Sequence, residues 1–122
     1  MQIALLAPTI GSVQVRGNRL QGHTSLIPTA EILGVQGCLF DQNDIRITGG
    51  DAAGLLAGRV LCNHANVANN RLVATGDSPI FQLFTEKSKF AVLGNLRTGP
   101  MLVNGIADSA LPPPWNTLNV PI

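Results

Sequence analysis

The sequence predicts an all-β fold, a solenoid of about four stacked coils made from short parallel strands. Three observations predict it. The pattern apolar-x-apolar-x-x-Asn-x-apolar occurs at Val13–Leu20, returns at Cys38–Ile45 and Ala65–Leu72, and recurs shortened at Phe90–Leu96. Its asparagines, Asn18, Asn43, Asn70 and Asn95, are spaced 25, 27 and 25 residues apart, and a regular period of this size marks a repeat architecture. The composition agrees. Charged residues make up 12% of the 122-residue chain, about half the usual share, while apolar residues stay at an ordinary 45%. That balance argues against a disordered chain.

The elements follow in order. Residues 1–12 precede the first full repeat; Ile3, Leu5 and Leu6, stopped by Pro8, predict one strand at the N-terminal edge of the stack. Full coils are expected to start near residues 13, 38, 65 and 90. In the first, Val13 and Val15 alternate with Gln14 and Arg16 at the period of a strand, Gly17-Asn18 turns, and Leu20 opens a second strand. Ser25–Pro28 reads as a turn or short strand and Ile32–Val35 as a third strand. The second coil repeats this through Cys38, Phe40, Ile45 and Ile47, with a buried strand expected over Ala52–Ala57. The third carries Val67 and Leu72, then a turn cluster Thr75–Pro79 and the β-prone Ile80–Phe84. Glu86–Lys89 is a polar corner.

The fourth coil breaks the pattern. Two positions after Asn95 stands Arg97 instead of an apolar residue, and Leu96 is expected to take the inward place. Asn104-Gly105 is a strong turn pair. The coils are therefore expected over 1–105. Residues 106–122, with Pro112, Pro113 and Pro114, are expected to leave the repeat, because proline donates nothing to a strand ladder. They should fold over the last coil as a Pro-rich cap, with Trp115 covering its apolar end.

Strands this short cannot bury both faces within one coil. Stacking coils about 4.8 Å apart solves the problem by lining inward side chains into columns. One column holds Val15, Phe40, Val67 and Val92; another holds Leu20, Ile45 and Leu72; a third holds Val13, Cys38, Ala65 and Phe90. The asparagines form a fourth, in which each amide donates to the asparagine of one neighbouring coil and accepts from the other. Such a ladder satisfies polar groups at a corner that would otherwise be buried unpaired. Outward, Arg16 and Asp41, and Arg19, Asp44 and Arg71, place opposite charges on adjacent coils.

With these columns in place, the chain resembles the right-handed parallel β-helix family, whose pectate-lyase-like coils run to about 25 residues and carry an asparagine ladder. The resemblance covers roughly residues 13–105. It implies a single-stranded, right-handed helix. It also implies the settings in which that family works: polysaccharide lyases and hydrolases, phage tail-spike and tail-fibre parts, and surface proteins. No motif encodes a compartment; the resemblance alone favours an extracellular or surface location.

Chemistry is harder to find. A glycoside hydrolase needs two or three converging carboxylates. The seven available are Glu31, Asp41, Asp44, Asp51, Asp77, Glu86 and Asp108. Asp41 and Asp44 flank the Asn43 turn but are replaced by Ala68 and Arg71 one coil on, so they read as solvated corner residues. No acidic cluster is shaped for calcium. Cys62-Asn63-His64 places a thiol and an imidazole on one strand face, with His23 and Cys38 further off. Two ligands do not make a metal site, so a buried Cys62 beside an exposed His64 is expected. Cys38 and Cys62 occupy different columns and should be free thiols. No nucleophile elbow, phosphate loop or N-glycosylation sequon is present.

The net charge of +1 and the scattered basic residues give no footprint for nucleic acid or an anionic membrane, and no run approaches the roughly 18 apolar residues of a span. The start Met1–Pro8 lacks the basic region and long apolar run of a signal peptide. The expectation is a non-catalytic structural or binding module, the terminal part of a larger assembly, with no catalytic residue, metal or cofactor. Its partner at the N-terminal edge would be either upstream β-helix or a second copy in a homo-oligomer. A polysaccharide-active enzyme is the alternative, and a glycan-binding module the weaker one, because Trp115 is the only Trp and Tyr is missing.

Overall fold

Strands laid one coil apart pair in parallel through almost the whole chain, giving a β-solenoid of about four turns. The computed structural model describes residues 2–4, 11–22, 28–48, 56–76 and 78–122. The expected strands at Ser25–Pro28 and Ala52–Ala57, and the apolar Leu5 and Leu6, lie wholly or largely outside these residues.

Among the described residues, twelve strands build two sheets. β1 (Gln2–Ala4), β2 (Ser12–Arg16), β4 (Ala30–Asp41), β6 (Gly58–Ala68), β8 (Phe81–Leu93), β10 (Met101–Val103) and β11 (Ile106–Ala107) form the larger. β3 (Arg19–Gly22), β5 (Asp44–Ile47), β7 (Arg71–Val73), β9 (Leu96–Arg97) and β12 (Val120–Pro121) form the smaller. The three longest strands each serve two coils. The first part of β4 pairs with β1 and closes the first coil; its second part pairs with β2 and opens the next. One extra residue, Gly34, breaks the register against β6 between these parts, and Glu86–Ser88, three residues opposite Asn63 alone, do the same between β6 and β8.

The stacking registers put the expected residues in line. Val15 lies opposite Phe40, Phe40 opposite Val67, and Val67 opposite Val92. All four are buried, the last three completely. Leu20, Ile45 and Leu72 align in the second sheet; Ile45 and Leu72 are fully buried, while Leu20, on the first coil, is half-buried. A third row, Ile32, Val60 and Leu83, closes the interior, and Phe40 meets Phe81 edge-on at 5.3 Å between ring centres. Branched aliphatic side chains on three inward rows thus make one continuous core.

The turn before each asparagine has a consistent backbone. Gly17, Gln42, Asn69 and Gly94 all have left-handed φ, from 56° to 69°. The left-handed position is therefore the residue before the recurring asparagine. Gly94 is the constrained member: a Cβ there would lie 2.3 Å from Asn69 Oδ1.

The fourth coil corrects two expectations. Arg97 points inward and is buried, at 7% exposure, whereas Leu96 is 43% exposed. The frame does not slip; a charged residue occupies the column of Ile45 and Leu72. Nor do residues 106–122 leave the stack entirely. Asn104-Gly105 closes a two-residue hairpin that folds β11 back antiparallel on β10. The prolines and two short 3-10 turns, Asp108–Ala110 and Trp115–Thr117, follow. The chain then returns, and β12 pairs in parallel with β9 as a fifth strand of the smaller sheet.

Candidate functional site: the two ends of the stack

Each coil step is fastened at the same corner by the same atoms. Asn18 Nδ2 donates to Asn43 Oδ1 at 3.1 Å, Asn43 Nδ2 to Asn70 Oδ1 at 3.0 Å, and Asn70 Nδ2 to Asn95 Oδ1 at 2.9 Å. The backbone N–H of each donor residue reaches the same oxygen. From Asn43 onward, each Nδ2 also donates to a strand carbonyl of the preceding coil: Val15, Phe40 and Val67 in turn. The column does not stop at Asn95. Asn95 Nδ2 donates to Asn119 Oδ1 at 2.7 Å, and Asn119 Nδ2 reaches the Val92 carbonyl. The repeat frame missed Asn119, although it stands 24 residues beyond Asn95, close to the earlier spacing.

These bonds have a direction. Between asparagines, the side-chain oxygens of Asn43, Asn70, Asn95 and Asn119 accept from the coil before, and the amides of Asn18, Asn43, Asn70 and Asn95 donate to the coil after. At the C-terminal end, the tail provides the acceptor that Asn95 needs. It also provides the partner for Arg97: Nε donates to Asp108 Oδ2 at 2.6 Å, with Asp108 only 1% exposed. Leu111 is buried, and Trp115 packs against Phe90 at 5.6 Å between ring centres. An inward arginine without this carboxylate would leave a charge unpaired in the core.

The N-terminal end differs. Among the described residues, β2 pairs only with β4 and β3 only with β5. Asn18 Oδ1 has no donor there, and Val13 and Leu20 are half-buried where their column mates deeper in the stack are covered. β1 already occupies one strand position of a preceding coil: Gln2–Ala4 lies on Glu31–Leu33 as Glu31–Leu33 lies on Arg59–Leu61.

The other candidates separate. Asp41 is buried, not solvated, and accepts from Arg16 Nε at 2.8 Å. Asp44 faces Arg71 at 3.9 Å on the other side of the turn, and Glu31 faces Arg59 at 3.4 Å. Each of these carboxylates is matched to its own guanidinium instead of converging with a second acid. Glu86 is exposed, and Asp51 and Asp77 lie outside the described residues.

Cys62 and His64 do not share a face. The register break falls between them, so Cys62 is buried, its Sγ donating to the His64 carbonyl at 3.2 Å, while His64 is exposed with its ring over Gly37. Both cysteines are free. Burial pushes the Cys38 thiol up to about 12, with the neighbouring Cys62 adding to the shift, and pushes Cys62 up to about 11. Both are poor nucleophiles near neutral pH. His23 lies outside the described residues, among which no three of His, Cys, Asp or Glu are grouped to hold a metal ion.

Comparison with known proteins returned no match: no family model, no curated protein and no solved structure is significantly similar to this chain.

Proposed function

We propose that this chain is a structural or binding β-helix module, without catalytic activity, that joins a larger extracellular, surface or phage-like assembly by lengthening its stack at the N-terminal edge. The observation that carries this reading is the difference between the ends. The C-terminal tail supplies the last coil with an acceptor for Asn95, a counter-charge for Arg97 and apolar cover from Leu111 and Trp115. β2, β3 and Asn18 receive no equivalent from the described residues. In this reading the asparagine column is an internal ladder, the tail is a cap, and the uncapped edge is a joint. Unpaired strand edges recruit further strands unless they are blocked.

Light scattering over a concentration series tests this on two forms: the chain itself, and a form with residues 38–58 inserted between Met1 and Gln2. Gln2 is the register equivalent of Arg59, so the insert would fill the edge from within the same chain. The expected result is a molar mass that climbs with concentration for the chain and stays monomeric for the filled form. If both stay monomeric at every concentration, the edge is not a joint. Screens for lyase, hydrolase and glycan binding would then decide between the other readings.

A further inference from the structure

We infer that the N-terminal edge takes a two-strand parallel β-segment from another polypeptide, carrying an asparagine at its turn, more tightly than it takes a second copy of this chain. This rests on the reading of that edge as a joint and specifies its occupant.

The chemistry of the occupant follows from bonds that recur at every coil step. A backbone N–H one residue before the asparagine donates to the next coil: Gly17 to the Asp41 carbonyl, Gln42 to Ala68, Asn69 to Leu93 and Gly94 to Leu118. The asparagine N–H and Nδ2 donate to the next asparagine Oδ1. The asparagine carbonyl accepts from the residue after the next asparagine: Asn18 from Asp44, Asn43 from Arg71, Asn70 from Leu96 and Asn95 from Val120. Carried one step upstream, this pattern makes the Arg16 carbonyl and Asn18 Oδ1 the acceptors and the Arg19 N–H the donor. A matching occupant presents an asparagine whose amide N–H groups point at Asn18. The edge of another copy, set head to head, would instead bring one Asn18 oxygen against another.

The number of strands follows from β1. It fills the third strand position of the preceding coil, on Glu31–Leu33; among the described residues, the positions over β2 and β3 are unpaired. A second copy docked coil on coil would bring its own strand into the place of β1. Its C-terminal coil is also engaged, since Asn119 holds the Asn95 donors and β12 covers β9. A segment with the pattern apolar-x-apolar-x-x-Asn-x-apolar has the required length and inward side chains to cover the half-buried Val13 and Leu20.

The chain's own second repeat is a ready probe. A synthetic peptide with the residues of 38–47, bearing valine in place of Cys38, is titrated into the full chain, with amide resonances of β2 and β3 as the readout. A control peptide carries Asn43→Asp, which keeps the shape but replaces the amide donor with a carboxylate oxygen facing Asn18 Oδ1. The expected result is saturable one-to-one binding that shifts β2 and β3. The Asp peptide should bind at least tenfold more weakly, and the filled form described above should not bind at all. Equal affinity of the two peptides overturns the asparagine-directed occupant. Failure of the peptide to bind at millimolar concentration overturns the segment itself; if the chain still self-associates where the filled form does not, the joint stands and its occupant is another copy.

Discussion

At the scale of single residues, the same amino acid has unequal worth along the asparagine column. Asn70 is 2% exposed; its oxygen accepts from Asn43 twice, and its Nδ2 serves Phe40 and Asn95. Asn70→Ala would orphan several buried groups at once, each costing about 1–3 kcal/mol, so a loss of about 3 kcal/mol is expected in chemical denaturation. Asn18 is half-buried and its Oδ1 has no donor among the described residues, so Asn18→Ala orphans fewer buried groups and should cost under about 1 kcal/mol. Equal losses would mean that the column is not a set of nested, buried bonds. The thiols give a second residue-level prediction. Cys38 and Cys62 have native values raised to about 12 and 11 from an ordinary 9.0. The unfolded chain therefore gives up these protons first. Their contribution to stability is complete below about pH 9 and is lost as the pH rises through the native values. The unfolding midpoint should fall above pH 9, and the Cys38→Ala/Cys62→Ala double variant should lose that dependence. Thiol-labelling rates at pH 8 should match global unfolding.

At the scale of elements, the strands that follow the repeat were legible, and those set by a partner outside it were not. The columns through Val15 and Leu20 could be read because apolar residues at a period of two return every 25 to 27 residues. The inward turn of Arg97 could not be read, because its counter-ion, Asp108, comes from the tail, 11 residues later, with no repeat to align it. Nor was β12 foreseen. The proline run hid the return of the chain, and the spacing of Asn119 was the one available signal. The separation of Cys62 from His64 depends on an insertion in the neighbouring coil, which alternation along a single strand cannot reveal. The tail contact has a measurable consequence. Asp108→Ala leaves the Arg97 guanidinium buried and unpaired, a change that typically costs about 3–5 kcal/mol. Replacing the pair by Arg97→Leu/Asp108→Leu restores the apolar column of Ile45 and Leu72 and should cost clearly less than the single change. A double-mutant cycle by urea denaturation compares them; additive losses would mean that the pair is not coupled.

At the scale of the whole molecule, each coil touches only its neighbours, so stability is a sum of coil terms and interface terms along one axis. The two ends then set how the stack opens. On the C-terminal side, the β9 strand is covered by β12, and the last inward residues by Asp108, Leu111 and Trp115. On the N-terminal side, β3 is paired on one side among the described residues, and Leu20 keeps part of its surface in water. Opening should therefore begin at β3 and travel inward, because the first coil loses one interface where an inner coil would lose two. Native-state hydrogen exchange should show protection rising from β3 through β5 to β7 and staying high at β9. Deleting residues 118–122 removes Asn119 and β12 together. It should lower protection at β9 and leave β3 unchanged, turning a one-ended gradient into a two-ended one. Uniform protection across the five strands, or a loss at β3 after that deletion, would show that the stack opens as a single unit and that its ends are not independent.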